Sequence, residues 1–130
     1  FDFGIHTSMG KGSYANFNFT VLDEGKVTIG ESVFIGPNVS LLTPIHPLCY
    51  QDRNAFLNEK TGNVTNLERA GAITIEDNCW LGGSVTVCGG VTIGEGSVIG
   101  AGSVVTRDIP PNSLAELIEI LSFQEIISSC

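Results

Sequence analysis

A six-residue period constrains this chain more than any other feature. From residue 73 onward, Ile75, Leu81, Val87, Ile93, Ile99 and Val105 recur at every sixth position without a slip. Two places before each stand Ile73, Cys79, Val85, Val91, Ser97 and Ser103, all small or β-branched. The same register appears earlier as Val27 with Ile29, Val33 with Ile35, and Val39 with Leu41. An α-helix cannot keep an apolar stripe at this period, because its faces repeat at about 3.6 residues. An alternating antiparallel barrel is the rival, and the unbroken spacing counts against it. Each hexapeptide is read as one short strand and one corner, with its aliphatic residue pointing inward. Successive coils then stack by parallel pairing, roughly 4.8 Å per layer. The fold expected is all-β: a left-handed parallel β-helix with the section of a triangular prism. Gly82, Gly94 and Gly100 directly follow large inward positions. They are read as corner residues whose dihedrals glycine tolerates.

The period breaks in two places. Near Asp23-Glu24-Gly25-Lys26 an earlier register (Met9, Ala15, Val21) slips by two residues. The polar stretch from Pro47 to Gly71 has no period at all and is read as one long loop expelled at a corner. Long loops of this kind are often functional. The β-helix domain is placed at residues 1–112, with the excursion at 47–71. Residues 113–130 form a tail in which Leu114, Leu117, Ile118 and Leu121 fit a short amphipathic helix. Its charges, Glu116, Glu119 and Glu125, are all acidic. The chain starts in mid-pattern without methionine, which suggests an N-terminal truncation.

Charge and composition narrow the partners. The net charge of −8 disfavours nucleic acid and acidic membranes, since the phosphate-neutralising term has the wrong sign. No stretch reaches the ~18 apolar residues of a membrane helix, and the first residues lack a signal-peptide pattern. The four cysteines (Cys49, Cys79, Cys88, Cys130) form no C-x-x-C pair. Reduced thiols in a cytoplasmic protein are therefore expected.

Chemistry has few carriers. The two histidines, His6 and His46, are too few for a three-histidine zinc site, and no metal is expected. His46 stands in TPIHPL, where the repeat stops and the loop begins. It is either a surface histidine at a strand end or, held by its proline neighbour and a rigid stack, a general base. Asn16 has a bland reading as a left-handed corner residue. Trp80 precedes inward Leu81 and so faces outward, where an indole suits an interface or a ligand. Glu68 is read as a solvated loop charge, with orientation of His46 as the alternative. His6 is read as structural or exposed.

Three segments carry a resemblance: YANFNFTVLD (Tyr14 to Asp23), TPIHPL, and DNCWLGGSVTVCGGVTIGEGSVIGAGSVVTRDIPPN (Asp77 to Asn112). Together they resemble the maltose and galactoside O-acetyltransferases of the hexapeptide-repeat acyltransferase family, over roughly residues 5 to 112. The resemblance implies acetyl-CoA as co-substrate and a sugar or similar hydroxyl acceptor, acetylated by direct transfer. It makes His46 the catalytic base, Asn16 a substrate-binding residue, and Trp80 a wall of the acceptor and coenzyme site. It puts Gly83, Ala101 and Thr106 along the pantetheine groove and Arg107 near the coenzyme phosphates. It also implies a homotrimer with active sites between subunits. Two departures stand out: no closing N-terminal helix, and an acidic tail where relatives carry a basic one. Two other functions fit the same prism: a xenobiotic or antibiotic O-acetyltransferase, and a truncated, non-catalytic trimeric scaffold.

Overall fold

The computed structural model describes residues 1–116. The chain divides into two compact units: residues 1–44 with 70–116, and residues 45–69.

The first unit is a three-faced coil of parallel strands. One face stacks Thr7–Met9, Val27–Ile29, Ile73–Ile75 and Thr92–Ile93. The second stacks Tyr14–Ala15, Phe34–Ile35, Trp80–Leu81, Val98–Ile99 and Leu114–Ala115. The third stacks Thr20–Leu22, Ser40–Leu42, Thr86–Cys88 and Val104–Val105. Strand pairing puts like over like. Ile29 lies between Met9 and Ile75, and Leu81 lies between Ile35 and Ile99. The inward columns are the predicted ones, and Val21, Val27, Ile29, Val33, Ile35, Leu41, Leu81 and Ile93 are all buried. Such burial stabilises by roughly 1.5–3 kcal/mol per large aliphatic side chain.

The pairing also measures each coil. Thr74 pairs with Thr92, one coil of eighteen residues, as three hexapeptides require. Tyr14 pairs with Phe34, a coil of twenty, which absorbs the slip at Asp23–Lys26. Val98 pairs with Leu114, a coil of only sixteen. That last pairing corrects the tail. Leu114 and Ala115 form a strand that continues the stack, so the expected helix does not begin there; its remainder lies outside the described residues.

Glycine's role also needs correcting. The glycines after the large positions do not carry left-handed dihedrals. A Cβ on Gly36 would lie 2.7 Å from the Gly83 nitrogen, and one on Gly82 would lie 2.7 Å from the Ala101 nitrogen. Close approach of consecutive coils is what demands glycine there. The left-handed corner residues are others, among them Asn18 (φ 57°), Asn38 (φ 60°) and Ser84 (φ 59°). Asn18 donates through Nδ2 to the Asn38 Oδ1 at 3.0 Å, a short asparagine ladder up one edge.

The second unit has order of its own. A single helical turn, Tyr50–Arg53, is followed by an antiparallel hairpin of Phe56–Asn58 with Asn63–Thr65. Gly62 (φ 72°) sits at the hairpin turn. Cys79 and Cys88 are free thiols, whereas Cys49 is disulfide-bonded. This corrects the expectation of reduced thiols throughout, which rested on local spacing alone.

Candidate active site

Inside the second unit, the chain entering at Ile45 and the chain leaving at Arg69 bring His46 and Glu68 together. Their Nε2 and Oε1 atoms are 3.1 Å apart, with the side chains 49% and 31% exposed. Arg53 donates through Nη1 to the carbonyls of Pro47 (3.4 Å) and Leu48 (3.2 Å), which ties the helical turn back to the segment after His46. A cleft of about 640 Å³ opens here, lined by His46, Leu48, Asp52, Leu67, Glu68 and Arg69 among others. Its volume lies in the range of small-molecule sites, roughly 300–1,000 Å³. Glu68 is thus within hydrogen-bond reach of His46 and not an isolated loop charge. No sequence spacing announces this pair, because a loop of free length separates its members.

The remaining predicted residues belong to the prism. Trp80 projects outward, 55% exposed, between Phe34 and Val98 on neighbouring coils. Asn16, Gly36, Gly82 and Gly100 follow one another up a single edge, each N–H bonding to the carbonyl of the coil above: Asn16 to Ile35, Gly36 to Leu81, Gly82 to Ile99 and Gly100 to Ala115. Gly83 and Ala101 stand on this same edge, each next to such a glycine. Asn16 is not the left-handed residue of its corner; that is Asn18. The exposed Asn16 side chain instead accepts the Phe17 N–H at 2.8 Å. Thr106 and Arg107 lie on a different edge, after Val104–Val105. The structure therefore groups Asn16, Gly83 and Ala101, with Trp80 on the face leading to them, and sets Thr106 and Arg107 apart.

Asp23 went unrecognised as anything more than part of a break. It is completely buried and accepts four hydrogen bonds, from the N–H groups of Phe3 (2.8 Å), Gly4 (3.0 Å) and His6 (3.0 Å) and from the Thr7 hydroxyl (3.0 Å). Burial opposes its charge, but these donors outweigh burial and hold the carboxyl well below the usual carboxylate range. A signal did exist: Val21 points inward, so strand alternation sends the side chain two places on inward as well.

With that geometry described, likeness to known proteins becomes informative. Residues 72–107 match the family described as bacterial transferase hexapeptide (six repeats). The galactoside O-acetyltransferase of Escherichia coli is 43% identical over 126 residues, covering 97% of this chain and 57% of that protein. The chain is similar to the hexapeptide-repeat transferases. Among solved structures, a maltose O-acetyltransferase from Clostridium difficile aligns with TM-score 0.72 and 40% identity, covering 85% of this chain and 54% of that one. A hexapeptide-repeat acetyltransferase from Vibrio cholerae, solved with acetyl coenzyme A, aligns with TM-score 0.69 and 37% identity, covering 84% and 54%. The parallel coil goes with the left-handed β-helix of this family. The chain spans about half the length of the curated relatives it matches.

Proposed function

We propose that this protein is an acetyl-CoA-dependent O-acetyltransferase that acts on a hydroxyl of a sugar or similar acceptor by direct transfer. The observation that carries this reading is the His46–Glu68 pair in its cleft. A carboxylate accepts only, so the paired Nε2 carries the ring hydrogen and Nδ1 keeps the lone pair of the neutral imidazole. Nδ1 is then the base. It removes the acceptor hydroxyl proton as the oxygen attacks the thioester carbonyl. The oxyanion is held by a backbone N–H, the C–S bond breaks, and the same proton passes to the leaving sulfur. No acyl-enzyme forms. Within this scheme Asn16 and Trp80 bind the acceptor. Trp80, Gly83, Ala101 and Thr106 border the pantetheine arm, and Arg107 meets the coenzyme phosphates.

A homotrimer with active sites between subunits accompanies this reading. Two features of the prism support it. Asn16, Gly83 and Ala101 occupy one edge, while Thr43–Pro44, from which the chain runs on to His46, occupy another. A neighbouring copy brings different edges to one cleft. The exposed outward row Tyr14, Phe34, Trp80 and Leu114 also suits cover by a partner.

The direct test is an acceptor screen with acetyl-CoA and free-thiol detection. Sugar-dependent thiol release is the expected result. Release with antibiotic acceptors alone moves the protein to the xenobiotic class. No release, and no heat on titration with coenzyme A, leaves only a scaffold.

A further inference from the structure

Three consecutive carbonyls follow His46, and a single residue takes all of them. Arg53 Nη1 donates to the carbonyl oxygens of Pro47 at 3.4 Å and Leu48 at 3.2 Å, and the Arg53 backbone N–H donates to the Cys49 carbonyl at 3.0 Å. Nη1 bears two hydrogens, one for each of its carbonyls. Among the described residues Arg53 forms no ion pair, although Asp52 is its neighbour in the chain. Its guanidinium is committed to backbone oxygen. The Asn54 N–H donates to the Tyr50 carbonyl at 2.9 Å and closes the helical turn from which this side chain reaches back.

The torsions around His46 show what these bonds control. His46 precedes Pro47, and the proline ring pushes the backbone of the residue before it toward the extended region. The same ring locks φ of Pro47 near −65° or so. The direction of the Pro47 carbonyl is then set by its ψ alone, and that of the Leu48 carbonyl by its own ψ. Those two angles are the freedom that proline leaves, and the bonds to Arg53 remove it. Pro47 and Leu48 line the same cleft as His46, so any slack in them moves the wall that carries the imidazole.

We propose that Arg53 is a positioning residue for His46: it fixes the main chain that presents the imidazole, while Glu68 fixes the ring. The inference rests on the acetyltransferase reading, in which His46 is the base, and adds to it a residue that never meets the substrate. The positive charge suits the task, because a charged donor makes stronger and more directional bonds to carbonyl oxygen than a neutral one.

The test compares the full chain with Arg53→Ala and Arg53→Lys. In Arg53→Ala, kcat falls about tenfold, short of the ~10²-fold that a misplacement of about 1 Å brings. The KM for acetyl-CoA and the urea unfolding midpoint stay at the parent's values, and imidazole NMR shows the His46 Hε1 resonance shifted or broadened. Arg53→Lys, whose ammonium can also donate to both carbonyls, recovers most of kcat. Guanidinium added to Arg53→Ala below denaturing concentration restores part of it. A His46 resonance and a kcat both unchanged in Arg53→Ala overturn the positioning role. So does a fall in kcat that comes with a lowered urea midpoint, an unmoved His46 resonance and no response to guanidinium, since that is loss of packing alone. Failure of the parent to release thiol from acetyl-CoA with any acceptor overturns acetyl transfer, and the His46 resonance in Arg53→Ala then decides the positioning role by itself.

Discussion

His46 and Glu68 are twenty-two residues apart in the chain, yet His46 Nε2 and Glu68 Oε1 lie 3.1 Å from each other. In the proposed mechanism the carboxylate selects which ring nitrogen holds the hydrogen, and so which one is left to act as base. The pair is half open to water, which makes it a device for orientation more than a source of stability.

Replacing His46 with Ala removes the proposed base. A single positioned base contributes ~10²–10⁴-fold, and kcat should fall by that factor. Coenzyme binding, followed by calorimetry, should be retained. An unchanged kcat would remove His46 from the mechanism.

Glu68→Gln keeps the shape of the site and loses the charge that orients the ring. We expect kcat to fall by about tenfold or more, with an unchanged KM for acetyl-CoA. Imidazole NMR should show the His46 tautomer preference relaxed in this variant. Full activity together with an unaltered tautomer would mean that the pair is incidental.

Gly82 and Gly83 are neighbours with opposite tolerances. A Cβ on Gly82 meets the Ala101 nitrogen at 2.7 Å, whereas one on Gly83 finds nothing nearer than the Pro37 oxygen at 3.5 Å. Gly82→Ala should therefore cost about 1–3 kcal/mol through overpacking, and Gly83→Ala far less. Urea unfolding midpoints compare the two, and equal midpoints would contradict the close-approach argument.

Asp23 makes stability depend on acid. Its carboxyl is held below the ordinary range, so the native state favours the charged form. That contribution is present above the unfolded carboxylate pKa of about 3.9 and is lost as pH falls from there toward the native value. Asp23→Asn should lower the thermal midpoint at neutral pH by several degrees and flatten its decline below about pH 4. A variant with the parent's full acid dependence would assign that dependence to other carboxyls.

Phe34 is the centre of the exposed row between Tyr14 and Trp80, and its ring lies 4.9 Å from that of Tyr14. Phe34→Glu puts a charge into the surface assigned to the neighbouring subunit. Sedimentation should report a trimer for the parent and smaller species for the variant. A monomeric parent would remove the shared-site arrangement.

The legibility of this molecule follows from how its contacts are spaced. Columns such as Ile29–Ile75–Ile93 were readable because a β-helix repeats one local environment at a constant interval, so period alone names the inward residues. The outward course of Trp80 was readable for the same reason. The identity of the left-handed corner residue was not, and the structure chose Asn18 over Asn16. A corner's dihedrals depend on where within the hexapeptide the strand ends, and period does not specify that phase.

By itself, the sequence determined the all-β class, the core columns and the stretch where the six-residue period stops. These follow from short-range alternation and a strict repeat. Only the tertiary structure decided that Glu68 returns to His46, that Asp23 straps the first seven residues, and that Leu114–Ala115 continues the stack. Each of these joins residues across a loop or a coil of irregular length. The chain's path through space, and no regular spacing along it, brings their atoms within hydrogen-bond reach.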